Sequence, residues 1–212
     1  MSWQVWLGFL GASWVISLSP GAGAIASMSS GLRHGLRRGY WNILGLQLGL
    51  LLQVMIVAAG VGALLASSAV AFTVVKWFGV AYLVYLGIRQ WRSAPAEVEP
   101  DADPGKPSGS ALGIVARGFL VNAGNPKAVV FMLAVLPQFL DPGAPLLPQY
   151  TIIAVTMICV DVIVMTGYTG LAARVLTFLR SPRQQRVTNR VFSGLFFAAA
   201  GFLSLVRRAA TV

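Results

Sequence analysis

The chain has 212 residues, of which 57% are hydrophobic and only 10% are charged. A soluble domain carries roughly 25% charged residues, so this composition excludes a water-covered globule. With a mean hydropathy of +0.75 it reads as an all-α integral membrane protein. The net charge of +10 would suit a nucleic-acid binder, but the basic residues flank apolar runs. Membrane orientation accounts for them there, and no nucleic-acid partner is expected.

Apolar runs fall near 3–30, 41–66, 70–91, 111–140, 150–178 and 189–207, which predicts six transmembrane helices. Each is close to the roughly 20 residues that span hydrocarbon, allowing for tilt. The first run opens "MSWQVWLGFLGASWVISLS", without a basic leader, and stays apolar past any cleavage point. It is read as the first membrane helix rather than a signal peptide, with Trp3 and Trp6 as interfacial anchors. The single cysteine, Cys159, lies within an apolar run and excludes both an internal disulfide and dithiol carrier chemistry.

The loops alternate in charge. One set, 33–40, 92–110 and 179–188, holds Arg33, Arg37, Arg38, Arg92, Lys106, Arg180, Arg183 and Arg186. The other set, 67–69 and 141–149, holds no lysine or arginine. The first set is therefore expected in the cytoplasm and both termini outside, with Arg207 and Arg208 the one dissent. Residues 93–110, "SAPAEVEPDADPGKPSGS", read as a disordered cytoplasmic linker between residues 1–92 and 111–212. Each flanking half has three spans, and an odd number forces the second half to enter from the opposite side. Two inverted three-helix repeats result.

Helices 1 and 4, the first of each half, are interrupted in matching places. Helix 1 contains "SLSPGAGA", with Pro20 and Gly21, and helix 4 contains "NAGNPKA", with Pro126. Proline removes a backbone donor and glycine weakens a helix. In lipid such a break survives only where protein or a wet cavity covers it. Each proline alone reads as a structural kink, whereas the matched pair points to a transporter binding site. A half-helix starting at Pro126 offers free N–H groups and a positive dipole end, and Lys127 adds a full charge. Asn122 and Asn125 can satisfy opened backbone groups or a ligand, so the set suits a carboxylate. Asp161, mid-way along helix 5, is the one acid deep within a span. It and Lys127 either pair with each other or share a cavity in which a zwitterion engages both.

These segments carry a family resemblance. "SPGAG", "GLRHGLRRGYWNILGLQLG", "GFLVNAGNPKAVVFMLAVLPQFLDP" and "DVIVMTGY" together resemble the lysine-exporter family of amino-acid translocators, in its homoserine/threonine-exporter branch. The resemblance covers nearly the whole chain. It implies a bacterial inner-membrane protein that exports amino acids or close derivatives by proton antiport. The candidate substrate site therefore comprises Pro20, Gly21, Asn122, Asn125, Pro126, Lys127, Asp161 and Tyr168, the acid and tyrosine of helix 5 also matching the family, with Asp161 the proton-coupling candidate. One departure stands out: where the family has a second proline and a polar residue, this chain has Ala22, Gly23 and Ala24. The lining becomes more apolar there, which favours a larger apolar amino acid such as leucine over homoserine or threonine.

Other residues have plainer readings. Gly45 and Gly49, four apart, let two helices approach closely, and Gly39 joins them in packing. His34 sits in a basic loop and reads as solvated rather than as a proton relay. Gln47 and Gln53 are six apart, so one lines the cavity and the other faces a neighbouring helix. The competing classes are a membrane enzyme, which lacks a nucleophile–base pair here, and a metal-ion exporter, for which one intramembrane carboxylate is a poor ligand set. The expected partners are an amino-acid substrate, protons and the lipid bilayer, with a homodimer compatible and no cofactor or metal.

Overall fold

The computed structural model describes residues 1–67, 69–93, 110–141, 143–172, 174 and 181–205. Among these every regular element is helical. Helix α1, Trp3–Leu18, starts where the Ser2 hydroxyl accepts the Val5 N–H. It stops at Ser19, whose backbone is extended (φ −67°, ψ 118°) ahead of the donor-less Pro20. Helix α2, Ala22–Ser67, follows at once.

Helix α2 is two arms folded at one residue. Gly35 alone departs from helical geometry, with φ 71° and ψ 174°. Only glycine adopts this region without strain, because it has no Cβ. Gly23 faces Leu46, Asn42 donates to Ser27, and Gly39 lies beside Ser30. These pairs are symmetric about the turn, so the arms form an antiparallel αα-hairpin. The expected loop over 33–40 is therefore helical on both sides of a one-residue turn. His34, at that turn, has a pKa held below the ordinary imidazole value, first by burial and then by Arg38, Arg33 and Arg117. It is half-buried among cations rather than freely solvated.

The remaining helices are α3, Ala69–Arg92; α4, Ala111–Ala123; α5, Pro126–Val135; α6, Leu146–Gly170; and α7, Pro182–Leu205. A 3₁₀ turn, Leu136–Phe139, extends α5. The chain bends by 55° between α4 and the α5 segment, at the interruption the sequence predicts. Part of the expected loop over 179–188 is helical too, since Pro182 opens α7; proline is tolerated in a first turn because that N–H would be unpaired anyway. The linker reading at 94–109, and the basic residues Lys106, Arg180, Arg207 and Arg208, lie outside the described residues.

Two described helical stretches are long and apolar enough to cross a membrane, Ala22–Gly60 and Leu146–Gly170. The bent pair Ala111–Ala123 and Lys127–Phe139 makes a third. Helix α2 packs against α4 and α6, α1 against α6, α5 against α3, and α7 against α3. One apolar core joins Phe9 of α1, Val54 of α2, Leu83 of α3, Met132 of α5, Ile153 of α6 and Phe196 of α7. The α2–α4 contact is backbone to backbone. A Cβ on Gly45 would collide with the Val115 carbonyl, and one on Gly118 with the Asn42 carbonyl. Gly49 meets the Phe119 carbonyl in the same way. The four-residue glycine spacing thus serves close packing, as the sequence predicts.

Candidate functional site

Both helix breaks open onto one cavity. Ser17, Ser19, Gly21 and Gly23 border it from the first break, and Asn122, Asn125, Lys127 and Ala128 from the second. Gln53 of α2 and Asp161 of α6 complete its polar lining. Apolar side chains, among them Leu46, Leu50, Phe131, Met132 and Met157, supply the remaining wall. The cavity encloses about 60 Å³. That is room for a few waters, so an amino acid enters only if the walls move apart.

The breaks leave backbone groups that need partners, and side chains from distant helices provide them. At the end of α1, the Tyr168 hydroxyl donates to the Leu18 carbonyl at 2.7 Å. Lys127 Nζ donates to the Ser19 carbonyl at 3.1 Å and to the Ser19 hydroxyl at 2.6 Å. At the second break Asn125 caps α5, its side chain accepting from the Lys127 N–H at 3.1 Å. The Gln53 amide nitrogen donates to the Asn122 carbonyl, and Asn122 Nδ2 donates to the Leu46 carbonyl at 2.7 Å. Neither α2 nor α5 carries an acidic residue in its first turn, so the N–H-rich ends at Gly21–Ala24 and Lys127–Ala128 keep their positive potential on the cavity side.

Asp161 is buried, and its Oδ2 accepts from Gln47 Nε2 at 2.7 Å. Ser17 offers a second hydrogen bond to the same carboxylate. Lys127 and Asp161 thus line one cavity, yet each is held by neutral partners, and no ion pair within 4.0 Å joins them among the described residues. The Lys127 ammonium also stands 5.6 Å from the centroid of the Phe196 ring, a cation–π distance.

Of the residues singled out from sequence, Gly21, Asn122, Asn125, Lys127 and Asp161 converge on this cavity. Pro20 lies in the middle of the first interruption and Pro126 begins α5; each acts on the backbone. Tyr168 is not in the lining, since its hydroxyl caps α1. Sequence reasoning passed over Ser17 and Ser19, which stand just before Pro20. It left Gln47 and Gln53 undivided, and the structure gives them distinct roles: Gln53 borders the cavity, and Gln47 holds Asp161.

A helical membrane protein whose broken helices meet at a small cavity bearing separate opposite charges is built as a solute translocator. The chain belongs to the LysE type translocator family, whose model matches residues 14–207. It is 41% identical over 209 residues to a homoserine/homoserine lactone efflux protein of Salmonella typhi, covering 99% of this chain and all of that one. It is 40% identical over 207 residues to an uncharacterized membrane protein of Vibrio cholerae, covering 98% of this chain and all of that one. A leucine efflux protein of an Enterobacter species is 26% identical over 194 residues, covering 91% of this chain and 90% of the relative. No solved structure matches the chain. The family and these efflux relatives are transporters, not enzymes.

Proposed function

We propose that this protein exports amino acids from the bacterial cytoplasm across the inner membrane, exchanging them for protons. The observation that carries the reading is the separation of charge in one cavity. Lys127, beside two half-helix N-termini, faces the substrate carboxylate, and Asp161 faces the ammonium. A zwitterion satisfies both, whereas an isolated cation or anion leaves one buried charge uncompensated. The relatives support this class of substrate: one is a homoserine/homoserine lactone efflux protein and another a leucine efflux protein.

The architecture in this proposal is six membrane helices in two inverted repeats, residues 1–92 and 111–212, joined by a cytoplasmic linker at 93–110. The six spans are α1 with the first arm of α2, the second arm of α2, α3, α4 with α5, α6 and α7. The helix contacts support a pseudo-twofold axis. The first span packs on the fifth and the fourth on the second, while the third packs on the sixth. Swapping the halves returns the same set of contacts. Arg33, Arg37 and Arg38 at the Gly35 turn support a cytoplasmic placement for that end and external termini. Rocking of one repeat against the other would part Lys127 from Ser19 and widen the cavity to one side.

The test is uptake of labelled homoserine and leucine into inverted membrane vesicles with an imposed pH difference. Accumulation that requires both the protein and the pH gradient is the expected result. Uptake equal to that of vesicles without the protein removes the proposal.

A further inference from the structure

Gln53 holds the one buried side-chain polar atom of the cavity lining, among the described residues, that has no hydrogen-bond partner: its amide oxygen Oε1. The residue is 3% exposed, so bulk water does not serve that oxygen. The orientation of the amide is dictated by chemistry. Its nitrogen meets the Asn122 carbonyl, which only accepts, so turning the amide over would oppose two acceptors. The Asn122 carbonyl, at the broken end of α4, accepts the Asn125 N–H at 3.0 Å and takes the Gln53 amide as a further donor on its open side. The break in α4 thus fixes Gln53 with its acceptor unspent. Buried acceptors are rarely left so, because the unmade hydrogen bond carries the full desolvation cost.

What donor would an amino acid bring? Its ammonium is drawn to the full charge of Asp161, and its carboxylate to Lys127. Its side chain is the third group, and apart from Gln53, Asp161 and the residues of the two breaks the cavity lining is apolar, with Leu50, Phe131, Met132 and Met157 among it. Resting on the amino-acid export reading, we propose that Gln53 Oε1 accepts a hydrogen bond from a hydroxyl on the substrate side chain, so that the protein selects short hydroxylated amino acids over apolar isosteres. The polar contact that Ala22 and Ala24, on the first arm of α2, do not offer is then supplied by Gln53 on its second arm.

The experiment compares homoserine with norvaline, which replaces the hydroxyl by a methyl group of similar size, in vesicles carrying the full chain. In the wild type the half-saturation concentration for homoserine is expected to be about tenfold to a hundredfold lower than for norvaline, the penalty for an unpaired buried acceptor. In Gln53→Met the ratio of the two half-saturation concentrations is expected to fall to near one. Equal half-saturation in the wild type overturns the proposal without any variant. A Gln53→Met protein that keeps the homoserine preference also overturns it. Equal wild-type ratios with both substrates weakened in Gln53→Met would assign the oxygen to the ammonium or to a water instead. Should Gln53→Met move neither compound, Gln53→Glu, whose protonated carboxyl donates to the Asn122 carbonyl and keeps its other oxygen as the acceptor, must retain the preference; equal transport by it counts against the proposal. Failure to move any amino acid would sink the exporter reading itself, whereas equal transport of homoserine and norvaline removes only the hydroxyl contact.

Discussion

Lys127 Nζ hydrogen-bonds both the carbonyl and the hydroxyl of Ser19, at 3.1 and 2.6 Å, across 108 residues of chain. The residue after one helix break is thereby tied to the residue before the other. The ammonium also lies at the negative end of α1, where a cation is favoured. Lys127 serves as a strap between the two helix breaks as well as a candidate carboxylate partner, and the two roles separate by experiment.

Lys127→Ala removes the charge and the strap together, and Ser19→Ala removes only the hydroxyl end of the strap. Loss of a charged hydrogen bond to substrate corresponds to about 1.5–3 kcal/mol, so Lys127→Ala is expected to raise the substrate half-saturation at least about tenfold. Ser19→Ala should leave it within about twofold, because the carbonyl contact remains. Counterflow in vesicles with matched protein levels measures both. Wild-type export by Lys127→Ala would confine the lysine to a structural role.

Asp161→Asn keeps the size of the side chain and its reach to Gln47 but removes titration. It is expected to abolish accumulation driven by a pH difference, while downhill exchange continues slowly. Vesicles with an imposed pH gradient make the comparison. Undiminished uphill transport by the asparagine variant would show that Asp161 carries no coupling proton.

Tyr168→Phe deletes the hydroxyl that caps the Leu18 carbonyl at 2.7 Å. The expected cost is about 1 kcal/mol of stability, seen as a lower melting temperature in detergent, with substrate half-saturation unchanged. A large rise in half-saturation at unchanged melting temperature would move the hydroxyl from the helix cap to the ligand.

Gly35→Ala should cost about 1–3 kcal/mol, since φ 71° with ψ 174° is a region open to glycine alone. Asparagine offers no rescue, because ψ lies far from the left-handed helical basin that asparagine tolerates. Gly45→Ala, which sets a Cβ against the Val115 carbonyl, is expected to cost about 1–3 kcal/mol through overpacking. Gly194→Ala, mid-helix with no neighbouring atom within 4 Å, serves as control and should be neutral or stabilising by up to about 1 kcal/mol, the helix preference of alanine. Thermal unfolding of the purified variants ranks all three, and an unaffected Gly45→Ala would contradict the close α2–α4 approach.

The sequence by itself determined the features that follow from local chemistry. A chain with 10% charged residues has to place its surface in lipid, and a proline without an N–H has to interrupt its helix wherever it stands. The two breaks, the capping Asn125 and the glycine spacing on α2 are legible for that reason. Partners across the fold are not, since no local pattern joins Asp161 to Gln47, 114 residues earlier, or Gln53 to the Asn122 carbonyl, 69 residues later. The six-residue spacing of Gln47 and Gln53 left open which one meets the cavity. The second arm of α2 is covered on several sides, by its own first arm, α4 and α6, so both side chains are buried and the helical period does not separate them. Likewise Tyr168 matched a site residue by its place in the chain, yet its hydroxyl lies against the opened end of α1. Burial in a membrane protein makes every opened carbonyl compete for the few donors within reach, and only the packed helices decide which donor arrives.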